Sequence, residues 1–289
     1  MFGDGGVVSA RSVLRIRFWG VRGSHPTPGP STLRVGGNSS CVEILASGRT
    51  LIFDAGTGII ELGHLLAKNT RQSDLHIFLS HTHHDHIEGL RFFGPAYDKR
   101  WKCHLYGRGR GTTMERVLGS AMKPHVFPVS LDELPGRIVL RDLSDEDSVE
   151  LGGRPPVIVT AKHSDAHPKV GVLLYRVTCG RRSVVYSTDV EAARGGYEDV
   201  VEFARGADVL IHDAQYTEEE YFGKINKAGW GHSTIRQAAE TARDAGVGQL
   251  VLYHHDPEHD DRRIDKLERE ARKIFPASRA AREGLEITI

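Results

Sequence analysis

The stretch Leu75–Gly89, LHIFLSHTHHDHIEG, limits what this chain can fold into more than any other. Leu75–Leu79 is a short apolar run and reads as a buried strand. It passes directly into four histidines and an aspartate between His81 and His86. Imidazole and carboxylate are the ligands of zinc and of neighbouring transition metals. A lone histidine is usually an ordinary surface or core residue. Four within six residues cannot all be hidden in a core, and a solvated histidine tract would not follow a packed strand. His81 and His83 stand two apart, so one turn can aim both at a single ion. Asp85 and His86 follow at once and can reach a second, which leaves His84 as the member not needed. The run therefore reads as a metal site built on a strand end.

The rest of the chain must supply a frame for that site. At 289 residues it can bury a large core without covalent staples. Residues 1–12 are glycine-rich and read as a disordered lead-in; residues 13–289 read as one domain, since no shift in composition divides them. Alternation from Val13 to Trp19 predicts a strand. A long Gly/Pro/Ser loop follows, then a hairpin of Cys41–Ala46 with Thr50–Phe53. Further strands are expected at Val157–Thr160, Val170–Thr178, Ser183–Tyr186, Asp208–Ile211 and Gln249–Tyr253. Helical spacing marks Gly58–Lys68, Tyr197–Arg205, Ser233–Ala245 and Asp260–Ile274. Strands in each half with helices between them predict an α/β protein with a sheet-on-sheet core.

Charge and cysteine usage narrow the setting. Lys plus Arg equals Asp plus Glu at 38 each, so net charge gives no pull toward nucleic acid or membrane. Cys41, Cys103 and Cys179 are scattered and odd in number, against a disulfide framework or a cysteine zinc site. No signal peptide and no apolar run of about 18 residues is seen. A cytoplasmic enzyme without a membrane segment is expected.

The run His81-Thr82-His83-His84-Asp85-His86 resembles the HxHxDH signature of the metallo-β-lactamase superfamily. The resemblance covers roughly residues 13–255 and implies an αββα sandwich, two mixed sheets flanked by helices, with two metal ions at one edge. It also implies a histidine, an aspartate and a histidine from later strand ends. His163 in TAKHSD, Asp189 in VVYSTDV and His254 in LVLYHHD match in order. His167 competes with His163, and His255 with His254, because strand alternation alone cannot separate neighbours. Asp189 would bridge the ions, although Ser187–Asp189 also suits a helix cap. His81, His83 and His163 would bind one ion, and Asp85, His86 and His254 the other. Zinc is the expected metal, with manganese or iron as alternatives. Asp54, in FDAGTG, would support a ligand histidine.

Two further segments resemble the phosphodiesterase branch of that superfamily, with ribonuclease Z and the cyclic phosphodiesterase of phosphonate metabolism. They are HDAQYT at 212–217 and GHST at 231–234. The resemblance implies that Asp213 supports His232, and that His232 assists a leaving alkoxide or holds a phosphate oxygen. The expected catalytic residues are thus His232, Asp213 and Asp85. The expected activity is hydrolysis of a small or cyclic phosphodiester by a metal-bridging hydroxide. A transfer-RNA 3′-processing endonuclease is the alternative, weakened because no basic arm is seen between Asp189 and His232. An acyl or thioester hydrolase is a third reading. In the glycine-rich front loop, Arg22 or Arg34 could hold a phosphate, and Asn38, Ser39 and Ser40 could reach substrate. The basic stretch Lys99–Arg110, with Trp101 and Tyr106, is either a solvated loop or a local nucleic-acid footprint. Oligomeric state is left open, a homodimer among the options.

Overall fold

Why the two halves of the chain pack face to face is visible in which side of each strand is buried. The protein is described from a computed structural model, covering residues 14–68, 73–109 and 111–289. The expected lead-in, Val13 and Arg110 lie outside the described residues. In the first half the strands are β1 (Leu14–Gly20), β2 (Cys41–Ala46), β3 (Arg49–Phe53), β4 (Ser73–Phe78), β5 (Trp101–Gly107) and β6 (Arg137–Asp142). The second half holds β7 (Ser148–Glu150), β8 (Val157–Ser164), β9 (Val172–Cys179), β10 (Arg182–Ser187), β11 (Val209–Asp213), β12 (Gln249–Tyr253), β13 (Ser278–Ala280) and β14 (Glu286–Thr288). Among the described residues they make two seven-stranded sheets. The order is β14-β1-β2-β3-β4-β5-β6 in one and β13-β12-β11-β10-β9-β8-β7 in the other. β1, β2 and β3 pair antiparallel and β3 to β6 parallel. In the second sheet β7 to β10 pair antiparallel and β10 to β13 parallel, so both sheets are mixed.

Leu14, Ile16 and Phe18 of β1 turn inward and meet Val177, Val184 and Val251 of the second sheet in one core. The centre is aromatic. Phe53 stacks on Phe78 at 5.3 Å and meets Tyr175 and Tyr186 across the gap at 5.6 and 5.5 Å. Alternation gives each sheet a second apolar face. Ile52, Leu75 and Ile77 pack outward on α1 (Gly58–Ala67) and on Met114 and Leu118 of α3 (Met114–Ala121). Between these two helices lies the short α2 (His84–Ile87). Leu210, Val185 and Leu250 pack outward on α4 (Gly196–Ala204), α6 (Ile235–Asp244) and α7 (Asp261–Ile274). The short α5 (Glu218–Tyr221) precedes α6. The result is helix, sheet, sheet, helix. Among the described residues no helix is long and apolar enough to cross a membrane.

The expected elements are present with shifted ends. β8 continues to Ser164, four residues beyond the apolar alternation at Val157–Thr160, because Lys162 and His163 still pair with β9. Thr234, not Ser233, caps α6, with Gln237 closing a capping box; the Ser233 hydroxyl donates to Val190 O instead. The basic stretch at Lys99–Arg110 is largely β5, in which Trp101 and Tyr106 are buried, so neither can stack on a base.

The parallel pairs β3-β4 and β10-β11-β12 all end on the same edge of the sandwich, where strand ends gather polar residues. Three non-glycine residues there have left-handed backbones: Asp54 (φ 60°), Asp189 (φ 53°) and His254 (φ 59°). Each follows a strand and turns the chain abruptly, throwing its side chain into the gap between the sheets. Left-handed backbone costs about 1–2 kcal/mol at a residue with a Cβ, so packing on either side must hold these turns. Replacing Phe53, directly before Asp54, with alanine should therefore cost about 3–5 kcal/mol of stability. Urea denaturation will check this; a loss below about 1 kcal/mol would contradict the role given to the aromatic centre.

Candidate metal centre

After β4 the chain bends at Ser80, runs without regular structure to an extended His83, then enters α2. His81 and His83 thus come from the irregular segment between strand and helix, and Asp85 and His86 from the first turn of a helix. Four sets of donor atoms each converge within 4.8 Å: His81, His83 and His167; Asp85, His86 and His254; His81, His86 and Asp189; and Asp189, Asp213, His232 and His254. Asp189 lies between the first two sets. Its Oδ1 is 3.3 Å from His86 Nε2 and 3.2 Å from His254 Nε2, and its Oδ2 is 3.6 Å from His81 Nε2. Asp85 Oδ2 is 3.2 Å from both His86 Nε2 and His254 Nε2.

These residues fit a pair of divalent cations. Ring nitrogens face one another at 3.0 Å (His83 Nδ1 and His167 Nε2) and 3.3 Å (His86 Nε2 and His254 Nε2). His81 Nε2 is buried without a hydrogen-bond partner. Among the described residues the ion-pair partners of Asp85 and Asp189 are all histidines. Burial drives His81 well below the ordinary imidazole range and His167 to about 4, leaving both neutral with a lone pair to give. Burial opposes ionisation of Asp85 and Asp189, yet the surrounding imidazoles hold both well below the usual carboxylate range. Burial also opposes charge at His86, and Asp85, Asp189 and Asp54 outweigh it. A divalent cation among these groups would satisfy the same field.

The far side of each ring is fixed as well. His86 Nδ1 meets Asp54 Oδ2 at 2.8 Å, His254 Nδ1 meets Gln215 Oε1 at 3.0 Å, and His167 Nδ1 meets Gly231 O at 3.1 Å. Such partners set the tautomer and aim the opposite nitrogen. Asp85 Oδ2 also accepts the Ser24 N–H at 2.8 Å, so the front loop reaches the centre through its backbone.

Next to the donors stands a different kind of histidine. His232 Nδ1 is 2.7 Å from Asp213 Oδ2, and Asp213 Oδ1 accepts the N–H of Gln215 at 3.0 Å and of Ser233 at 3.3 Å. The His232 ring stacks on His254 at 5.0 Å. Burial opposes its charge, but Asp213 beside it pushes the imidazole up to about 9. With Asp213 spent on its ring, His232 is suited to carry a proton rather than a metal.

Several sequence expectations take a different place. His163 remains a strand residue opposite Leu173, its N–H donating to Asp145 Oδ1. The loop after β8 brings His167 back instead, against His81 and His83, where His163 was expected. The usable signal was His167-Pro168 in the loop just before β9. Of the other pair, His254 enters the centre, while the His255 ring turns to Ala281 O at 3.0 Å. Asp189 caps no helix; the chain beyond it makes a single 3₁₀ turn at Ala192–Arg194. Arg22 is buried and cannot hold a phosphate: it donates to the carbonyls of Gly36, Asp256 and His259. Arg34 pairs with Asp265 at 2.7 Å. Asn38 bonds Glu283, and Ser39 bonds Thr57 and Glu88, so these residues brace the loop. Gln215 and Ser24 were missed, since an amide and a backbone N–H leave no motif.

His167→Ala should lower bound metal toward one equivalent per chain, and His163→Ala should leave it unchanged; elemental analysis after gel filtration decides. Gln215→Leu should weaken one metal position about 10–100-fold, with Gln215→Glu restoring affinity in a chelator competition. Equal affinity in all three proteins would remove Gln215 from the centre.

Comparison with known proteins identifies the family and the fold. A family model described as a beta-lactamase superfamily domain matches residues 49–255. A ribonuclease Z of Methanosarcina mazei is 30% identical over 96% of this chain and 98% of its own length. One of Thermoplasma volcanium is 26% identical over the same shares. Among solved structures, the fold is similar to the metallo-beta-lactamase fold protein YhfI of Bacillus subtilis (TM-score 0.69, 19% identity, 96% of this chain and 100% of that one). It is also similar to a diphosphatase of the PhnP family (0.68, 19%, 95% and 97%) and to the short form of human tRNase Z (0.60, 22%, 94% and 98%). With a family match over most of its length and relatives aligned almost end to end, the chain belongs to the metallo-β-lactamase superfamily, on the branch where its ribonuclease Z relatives stand.

Proposed function

We propose that this hydrolase is a phosphodiesterase acting on a small, nucleotide-sized phosphodiester. The observation that carries the reading is the Asp213–His232 pair, hydrogen-bonded at 2.7 Å and stacked against the metal-donor histidine His254. A carbonyl substrate attacked by water has little use for a positively charged imidazole beyond the donor set. A phosphodiester has an anionic oxygen to bind and an alkoxide to protonate. His81, His83 and His167 would hold one divalent ion, Asp85, His86 and His254 the other, with Asp189 shared. Bound there, the ions would supply water activated at neutral pH and positive charge for the phosphate oxygens, and zinc suits this imidazole–carboxylate set. Asp213 holds the Nδ1 proton of His232 and so leaves Nε2 as the group that faces substrate. The surrounding side chains keep bulk water from His232, which is only 8% exposed.

A second reading is 3′ processing of transfer RNA, favoured by the ribonuclease Z relatives. The alignment with the Methanosarcina mazei protein runs to 330 positions against a chain of 289 residues, so parts of that relative have no counterpart here. Between Asp189 and His232 the chain holds a 3₁₀ turn, α4, β11, α5 and a ten-residue connection, with no protruding arm of its own secondary structure among the described residues, which supports the smaller substrate. Zinc-loaded protein should be assayed on bis-p-nitrophenyl phosphate, 2′,3′- and 3′,5′-cyclic nucleotides, precursor tRNA and a thioester. Turnover of the small phosphodiesters is expected; cleavage of precursor tRNA alone would establish the second reading, and of the thioester alone would end both.

His232→Ala should cut turnover of a phosphodiester with a poor leaving group by about 10²–10⁴. The loss with a p-nitrophenolate leaving group should be much smaller, since that group needs little protonation. Metal content should not change. Equal losses on both substrates would assign His232 to phosphate binding, and no loss on either would remove it from the reaction.

A further inference from the structure

Residues 222–230 join α5 to His232, and the roles assigned so far leave them unexplained. Phe222, Ile225 and Trp230 there are 66%, 68% and 52% exposed. They are three of the nine large exposed apolar side chains among the described residues, and all three fall within this one short segment. The segment is also tied down. The buried Glu191 carboxylate accepts the Tyr221 hydroxyl at 2.5 Å, the Gly229 N–H at 2.6 Å and the Gly231 N–H at 2.9 Å. Lys227 N–H and Trp230 N–H donate to Tyr221 O and Lys227 O at 3.0 and 3.1 Å.

The anchored segment leads directly to the centre. Gly231 has φ +95°, and a Cβ there would collide with His167 Nδ1, so backbone touches a metal-donor ring one residue after Trp230. Lys227 Nζ lies 4.1 Å over the Tyr216 ring and 5.9 Å over the Trp230 ring. Tyr216 in turn meets His232 edge-on at 5.8 Å. An indole half in water loses hydration free energy unless something covers it. Here its backbone is anchored one residue before Gly231, and Lys227, which pairs with Asp256 at 3.5 Å, lies nearby, which presents an apolar face beside the proposed phosphate site. An indole face next to a phosphate site matches a nucleotide, whose base has a π-face and whose phosphate has the charge.

We propose that Trp230 is the stacking platform for the base of a nucleotide substrate, and hence determines specificity for phosphodiesters that carry a nucleobase. The inference rests on the phosphodiesterase reading for its substrate but can be measured without turnover. Calorimetric titration of zinc-loaded protein with adenosine 5′-monophosphate and with ribose 5-phosphate isolates the contribution of the base. Wild type should bind the nucleotide about ten- to a hundredfold more tightly. Trp230→Ala should erase that preference while leaving ribose 5-phosphate affinity and metal content unchanged, and Trp230→Phe should keep most of it. Equal wild-type affinity for the two ligands, or an undiminished preference in Trp230→Ala, overturns the proposal. So does conversion of a dimer to a monomer by Trp230→Ala with the preference intact, which would make the patch a subunit contact. If no phosphodiester is hydrolysed but the preference follows Trp230, the chemistry proposed above fails and the platform stands.

Discussion

One buried carboxylate, Asp54, joins the frame to the chemistry. It sits at the end of β3 in the first sheet and is fully buried. It accepts Ser80 N–H and hydroxyl at 2.7 and 2.8 Å, fixing the exit of the chain from β4. It accepts the Tyr186 hydroxyl from the opposite sheet at 2.6 Å. It also holds His86 Nδ1 at 2.8 Å. The contacts that set the distance between the sheets therefore also set the orientation of a metal-donor ring. A buried charge is tolerated only when its hydrogen-bonding capacity is filled, and here four donors fill it.

The donor cluster presents the opposite situation. Nitrogens that cannot both donate face one another, and among the described residues the two buried carboxylates have only imidazoles as ion-pair partners. Such an arrangement is costly for a protein alone and becomes favourable once positive charge is placed among the lone pairs. Segments just past the strand ends, the loop after β8 and the short α2 supply the histidines and aspartates, and hydrogen-bonded partners on the far side of three of the rings hold their orientation. Function and fold stability pull against each other at this edge, and the aromatic packing around Phe53 holds the balance.

Much of this was legible in the sequence because it depends on local pattern. The apolar run ending in His81–His86 announces both a strand and its cargo. Alternation and short apolar runs located most interior strands but not β5, whose basic residues read as a loop, and helical spacing located α1, α4, α6 and α7. The edge strands β6, β7, β13 and β14 are short or half-exposed and carry little pattern to read. The choice between His163 and His167 depended on where β8 stops. Pairing with β9 carries β8 past its apolar residues, and no local pattern reports that pairing. Arg22 looked like an anion ligand because charge is visible in sequence while burial is not. Gln215 was silent for the opposite reason: a neutral amide gains its role only from the ring it touches.

The left-handed turns at Asp189 and His254 also bear on how this edge can change over evolutionary time. Outside glycine, the residues that accept such a backbone most readily are asparagine, aspartate and histidine. Metal ligation with oxygen or nitrogen calls for aspartate, glutamate or histidine. The two alphabets overlap in only two letters, and those are the letters found. Most substitutions at these positions are rejected twice, once by the backbone and once by the chemistry. Glycine is the exception: it would relieve the strain while deleting the ligand. A lineage that drifts toward a more stable fold at these turns therefore drifts toward a catalytically silent one.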